Sequence, residues 1–389
     1  MKAEHYFATK LRQLESDNLV REPCIYEKIY HKNKKFFFDK NQDNLKLISF
    51  ADNDYLNLVD CNKIKKVAIK ATEKYGVGAG SSRYITGNNI FYQKIEEKIA
   101  KMKNRQASLL FSSGYSVAVG VIPALVSRGD LIIADRLIHS CLIDGAKLSG
   151  AKMIRFAHND MINCENILMQ NRHLFARCLI ISESIFSMDG DVGKINDLWS
   201  LAKKFNCGLL IDEAHSFGVK DFTISKQDLR VKNSAFYLQM GTLSKAVGAI
   251  GGYVAGDKMA VKYLKNFAKT AIYSTALPPA ILASINESLK IIAKGDRAFK
   301  AWRNVDYFCE LMNLPKSQSL IVPILVGDNK KALDIANYVK NQGFIISAIR
   351  PPTVPVGKAR LRITFCSNHL KKDIERLVKI VKKAFKILG

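Results

Sequence analysis

Seven short apolar runs recur between residues 108 and 255, at 108–112, 131–134, 153–156, 178–182, 209–212, 237–240 and 252–255. Each is too short for an ordinary helix and lacks the polar alternation of a strand with one wet face, so each reads as a strand buried on both sides. Around and between them, 62–75, 90–102 and 198–205 carry apolar residues at spacings of three and four, the period of a helix with one buried face. The combination predicts an α/β fold, a mostly parallel sheet flanked by helices, because parallel strands need crossovers that helices supply.

The chain divides in three. Residues 1–45 are polar and irregular, with a helix predicted up to residue 19 and an extended stretch at 36–38, and read as an N-terminal arm. Residues 46–275 form the large α/β domain. After Tyr-Ser-Thr-Ala-Leu-Pro-Pro at 273–279 a long helical stretch, 280–312, leads into strands at 320–326, 344–349 and 361–365 and a helix at 330–341, predicting a smaller C-terminal α+β domain over 276–389. The last helix places Leu370, Ile374, Leu377, Val378, Val381 and Phe385 on one face with lysines opposite, a face expected to meet the core.

Lys and Arg number 60 against 35 Asp and Glu, a net charge of +25. The lysines are spread over the whole length rather than gathered in a stripe, which argues against a nucleic-acid partner and for a basic, solvated surface suited at most to an acidic substrate carrier. No apolar run approaches the ~20 residues of a bilayer span, so no membrane association is expected. The first residues have no signal-peptide core, and the expected compartment is cytoplasmic. The eight cysteines form no Cys-x-x-Cys and no Cys/His cluster, and read as reduced thiols without a metal site.

The chemistry concentrates at strand ends, where ligands bind in open α/β sheets. Leu-Leu-Ile-Asp-Glu-Ala-His at 209–215 ends an apolar strand in Asp212, with His215 three residues on. Met-Gly-Thr-Leu-Ser-Lys at 240–245 ends another in hydroxyls and Lys245, ahead of a glycine-rich segment. Together they suit pyridoxal phosphate chemistry: a carboxylate keeps the pyridine nitrogen protonated, and a lysine of lowered pKa holds the aldehyde. Phe-Ser-Ser-Gly-Tyr at 111–115 supplies hydroxyls and backbone donors for a phosphate at a strand-to-helix junction. The glycine-dense stretch 75–87 lacks the Gly-Lys-Ser/Thr of a P-loop and reads as a flexible loop.

From about 50 to 365 the sequence resembles the α-oxoamine synthases, fold-type I pyridoxal phosphate enzymes that condense an amino acid with an acyl thioester and release CO2. The resemblance runs through Asn-Asp-Tyr-Leu at 53–56, Gly-Ala-Gly-Ser-Ser-Arg at 78–83, Phe-Ser-Ser-Gly-Tyr at 111–115, Ala-Asp-Arg-Leu-Ile-His at 134–139 and Arg-Phe-Ala-His-Asn-Asp at 155–160. It continues through Phe-Ser-Met-Asp-Gly-Asp at 186–191, Asp-Glu-Ala-His at 212–215 and Thr-Leu-Ser-Lys at 242–245. Ala-Ile-Arg-Pro-Pro-Thr-Val-Pro at 348–355, followed by Ala-Arg-Leu-Arg at 359–362, points within the family to the branch joining L-alanine to a pimeloyl thioester, pimeloyl-CoA or pimeloyl-acyl carrier protein, in biotin biosynthesis. Sister enzymes using glycine and acetyl-CoA are the alternative.

The resemblance implies pyridoxal 5'-phosphate as cofactor and a homodimer. It makes Lys245 the cofactor-holding lysine and proton-transfer base, and Asp212 the partner of the ring nitrogen. His139 stacks on the ring and borders the substrate, while His215 and Ser187 approach the ring oxygen. Thr242 and the backbone at Gly114 and Tyr115 hold the phosphate, with Ser274 and Thr275 reaching the partner subunit's site. Arg362, helped by Asn53, grips the amino-acid carboxylate; Arg21 and Thr353 match acyl-substrate positions. Two departures stand out: Ser81-Ser82 where a glycine often precedes the serine, and Ser216-Phe217 after His215 in place of smaller residues.

Overall fold

The computed structural model describes residues 3–31, 34–42, 44–222, 224–225, 229 and 234–388. The chain forms two compact units, the larger of residues Leu56–Ser187 and Asp191–Ala298, the smaller of Met1–Tyr55, Met188–Gly190 and Phe299–Gly389. This partition differs from the three-part expectation. The arm's strands Tyr26–His31 and Lys34–Asp39 pair with each other and with Leu45–Ser49, which in turn pairs with Phe344–Ile345. Apart from Met188–Gly190, the chain leaves the larger unit within the helix Asp296–Met312, not at residue 275. The stretch expected as one helix over 280–312 is two, Pro279–Ile292 and Asp296–Met312, separated at Gly295, whose φ of +77° a helix cannot accommodate.

The larger unit is built on one seven-stranded sheet. In spatial order the strands are Ala107–Phe111, Gly252–Gly256, Phe236–Thr242, Gly208–Asp212, Cys178–Glu183, Leu131–Asp135 and Lys152–Phe156. Only Gly252–Gly256 runs antiparallel to its neighbours. All seven coincide with the apolar runs, and successive residues face opposite sides, as a pleated strand requires. Ile132, Ala134, Leu179, Ile181, Leu210 and Leu238 enter one buried cluster with the helices Gly114–Leu125 and Ser140–Ser149. Leu131, Ile133, Ile180, Leu209, Ile211 and Tyr237 enter another with Met161–Asn171 and Ile195–Lys204. Each fully buried Leu or Ile contributes roughly 1.5–3 kcal/mol, which is why these runs carry so little polar character.

The smaller unit contains a four-stranded sheet in the order Tyr26–His31, Lys34–Asp39, Leu45–Ser49, Phe344–Ile345, and a three-stranded one, Ile321–Gly327, Ala359–Thr364, Ser347–Ile349. The final helix, Lys371–Leu388, buries Ile374, Leu377, Val378, Val381 and Ala384 and leaves its lysines exposed; Leu370 and Phe385 lie at the margin of that face. Among the described residues no helix is long and apolar enough to cross a membrane. All eight cysteines are free, six of them buried.

Candidate active site

Five of the parallel strands, or the turns directly after them, deliver polar side chains to one end of the large sheet. The result is a cavity of about 340 Å³ lined by Ser113, Gly114, Tyr115, His139, Cys141, Glu183, Asp212, His215, Thr242, Ser244 and Lys245, among others.

The helix Gly114–Leu125 opens at the cavity wall. Ser113 caps it through a capping box with Ser116, so the N–H groups of Gly114 and Tyr115, ahead of the first helical acceptor, are available to an anion. A side chain at position 114 would place its Cβ 3.0 Å from Thr242 Cβ, so glycine is what lets the helix start and the Thr242 hydroxyl come together. Thr242 Oγ1 donates to the Gly251 carbonyl at 3.1 Å and lies 2.8 Å from Ser244 Oγ.

The same cavity is lined by Asp212, buried, with Oδ1 accepting the Ala214 N–H at 2.9 Å. Burial raises its pKa, and the Lys245 ammonium opposes the rise. Lys245 Nζ stands 2.7 Å from His215 Nε2. His139 caps the helix Ser140–Ser149, its Nδ1 accepting the Cys141 N–H at 3.2 Å. Desolvation lowers the His139 pKa, against Asp212 and with Lys245, so the ring is neutral near pH 7. The helix-start role and a place in the cavity wall are therefore both real for this residue.

Glu183 was not singled out by the sequence. It pairs in register with Asp212 on the adjacent strand, lines the cavity and accepts the His139 backbone N–H. Burial and the neighbouring Asp212 both push its pKa well above the carboxylate range. The strand-end rule that picked out Asp212 applies equally to Glu183, but the pairing that makes it matter is non-local.

Three of the sequence motifs prove to be one clamp. His158 Nδ1 meets Asp135 at 3.0 Å and its Nε2 meets Asp191 at 2.8 Å, while Asn159 donates to Asp191 at 2.9 Å. Burial alone would lower the His158 pKa, yet these hydrogen bonds carry it up to about 10. The clamp ties the start of the turn carrying His139 to the turn that follows Glu183.

Other expected residues lie outside this cavity. Ser187 does not line it. Ser274 and Thr275 occupy an edge where Thr275 bridges Ser82. That edge belongs to the glycine-dense stretch, which is held rather than loose: Arg83 pairs with Glu96 at 2.7 Å and lies over the Tyr92 ring. In the smaller unit, Arg362 is buried and its Nη2 donates to Asn53 Oδ1 at 3.1 Å. There too Arg21 Nη2 donates to Thr353 Oγ1 at 3.0 Å, so two residues 332 apart in sequence meet.

The cavity can thus take a ligand with an anionic group at the helix start, a cationic ring atom at Asp212 and an electrophile at Lys245. Residues 46–381 match the family described as aminotransferase class I and II. The 8-amino-7-oxononanoate synthase of Beijerinckia indica is 40% identical over 340 residues, 87% of this chain and 88% of that one. A solved 8-amino-7-oxononanoate synthase from Francisella tularensis superposes with a TM-score of 0.70 at 29% identity, covering 88% of this chain and 98% of that one. The serine palmitoyltransferase of Sphingomonas wittichii, at 23% identity, shares the fold with a TM-score of 0.88 over 100% of this chain and 98% of its own.

Proposed function

The chain belongs to the aminotransferase class I and II family, with the fold-type I architecture of its α-oxoamine synthase-like members. From that premise we propose that it uses pyridoxal 5'-phosphate to condense L-alanine with a pimeloyl thioester, giving 8-amino-7-oxononanoate and CO2, a step of biotin biosynthesis. The observation that carries this reading is the convergence of Lys245, Asp212, His139 and Thr242 on one cavity with a free helix start.

The donor set fits the cofactor. The Gly114 and Tyr115 N–H groups with the Thr242 hydroxyl suit its phosphate, and the buried Asp212 carboxylate, unfavourable by itself, suits a protonated pyridine nitrogen. His139 covers one side of the ring space, and His215, which lines the cavity as Ser187 does not, serves the ring oxygen. When bound, the cofactor supplies an electron sink for a carbanion at the amino acid's α-carbon. Lys245 Nζ holds the cofactor at rest and moves the α-proton, with His215 Nε2 at 2.7 Å as the partner that receives its N–H. Arg362 binds the amino-acid carboxylate through the fork of its guanidinium, one N–H being given to Asn53. Asp212 keeps a fixed negative charge in a buried site, where it costs no reorganisation during the reaction.

The pimeloyl assignment is supported by the relatives named above and by the Arg21–Thr353 hydrogen bond, which offers polar groups to the far end of a long acyl chain. Steady-state turnover of L-alanine with pimeloyl-CoA and with pimeloyl-acyl carrier protein should exceed that of glycine with acetyl-CoA. The reverse order would establish a sister activity. Thr353→Val should raise KM for the pimeloyl thioester about fivefold, the loss of ~1 kcal/mol, and leave KM for alanine unchanged.

We further read the protein as a cytoplasmic homodimer. The segments that meet at Ser82 and Thr275 present Val77 and Tyr273 at 81% and 80% exposure, with Ile85 beside them, more apolar surface than an isolated loop needs. Mixing Lys245→Ala subunits with Ser274→Ala/Thr275→Ala subunits should restore roughly a quarter of wild-type activity, since half the dimers would hold one intact site. No recovery despite demonstrated subunit exchange would place Ser274 and Thr275 outside the partner's site.

A further inference from the structure

Within the smaller unit a lysine from the N-terminal segment is buried against two carboxylates. Lys35, on the strand Lys34–Asp39, has 9% of its side chain exposed, with Nζ 2.6 Å from Asp52 Oδ2 and 3.2 Å from Asp54 Oδ2. Between those aspartates sits Asn53, whose Oδ1 accepts from Arg362 Nη2 at 3.1 Å and from the Tyr55 hydroxyl at 3.2 Å. The segment has no helix or strand of its own. It is pinned instead from the strand Ala359–Thr364, the one that carries Arg362. Thr364 donates through its backbone to the Phe50 carbonyl at 2.7 Å and through its hydroxyl to the Asp52 carbonyl at 2.8 Å.

We propose that Lys35 is a positioning residue for the amino-acid substrate: by gripping the carboxylates on either side of Asn53, it fixes the amide that orients the Arg362 guanidinium. Asp52 and Asp54 turn to Lys35, and Asn53 turns to Arg362. Without the ammonium, two neighbouring carboxylates would repel in a partly buried site and the irregular segment would shift toward water, taking Asn53 with it. Burial disfavours the ammonium, but the attraction of Asp54 and Asp52 outweighs it and raises the Lys35 pKa, so the clamp is charged at any working pH. With the segment displaced, Arg362 would keep its planar fork but lose the Asn53 acceptor that helps set its angle, and bidentate recognition of a carboxylate depends on that angle. This role rests on the assignment of Arg362 to the substrate carboxylate.

The test uses cofactor-loaded Lys35→Met, which keeps the length of the side chain and removes its charge. Expected are a rise of about tenfold in both KM and the spectroscopically titrated Kd for L-alanine, with KM for the acyl thioester within about twofold of wild type. Lys35→Arg should restore most of the alanine affinity. A folded Lys35→Met with unchanged alanine Kd would overturn the proposal. Should that variant fail to fold, Lys35→Met/Asp52→Asn removes one of the two carboxylates that Lys35 held and with it their mutual repulsion, and the same alanine-specific loss is expected. Failure of the double variant to fold would also overturn the role, assigning Lys35 to stability alone. Arg362→Lys separates the premise from the inference. Unchanged alanine Kd there refutes the carboxylate assignment, whereas weakened binding there with none in Lys35→Met refutes only the positioning role.

Discussion

Lys245→Ala should purify as a folded, cofactor-binding chain whose turnover lies about a thousandfold or more below wild type and which borohydride no longer couples to its cofactor. The fold should survive because the lysine lies past the end of the strand Phe236–Thr242 and its side chain lines a cavity rather than filling the core. Activity should not survive. Among the described residues lining that cavity Lys245 is the only primary amine, so its loss removes both the covalent hold on an aldehyde and the base beside the α-carbon. Residual phosphate and ring contacts should still retain the cofactor noncovalently, because Gly114, Tyr115, Thr242, Asp212 and His139 are untouched. Mass spectrometry after borohydride reduction decides the matter. The wild-type peptide containing Lys245 should gain the reduced cofactor, and coupling to any other residue in the variant would sink the assignment.

The seven strands of the large sheet are legible in the sequence for one reason: burial on both faces leaves a continuous apolar run. The helix Gly114–Leu125 is harder to delimit, because Gly-Tyr-Ser-Val-Ala-Val-Gly-Val-Ile-Pro-Ala-Leu is apolar nearly all round and carries little 3.6-residue contrast. Residues 1–45 look like a polar arm since the contrast of the strands over 26–49 is spent on pairing. Phe37 and Leu47 are buried, while Lys28, Lys40 and Lys46 sit among them, and the partner strand Phe344–Ile345 lies about 300 residues away.

The same contrast governs the site. Asp212, His215 and Lys245 announce themselves because a charge directly after an apolar strand is conspicuous. Glu183 follows Ile-Ile-Ser and shares that signature, but it acquires its character from Asp212 beside it and from the His139 N–H above it, relations that only the folded sheet creates. Lys35 is more hidden still, one of many lysines until the fold closes two aspartates around it.

Asp212→Asn is the sharper probe of the chemistry, because it preserves shape and removes one charge. The amide oxygen can still accept the Ala214 N–H that Oδ1 accepts at 2.9 Å, so local geometry should hold. A carboxylate this deeply buried has its pKa raised, which means the folded, cofactor-free chain holds the proton more tightly than the unfolded chain does. The sign of the linkage follows: its contribution to stability is full below the unfolded aspartate pKa and is lost as pH rises through the raised folded value. At neutral pH the cofactor-free Asn variant should therefore be at least as stable as wild type in thermal denaturation. Turnover should move the other way. With no fixed anion at the ring nitrogen, the protonated pyridine loses its partner, and kcat should fall about a thousandfold, ~4 kcal/mol, with KM for alanine changed only slightly. A merely structural Asp212 would show the opposite pairing, a lowered Tm with kcat per folded subunit intact, and that result would remove it from the reaction.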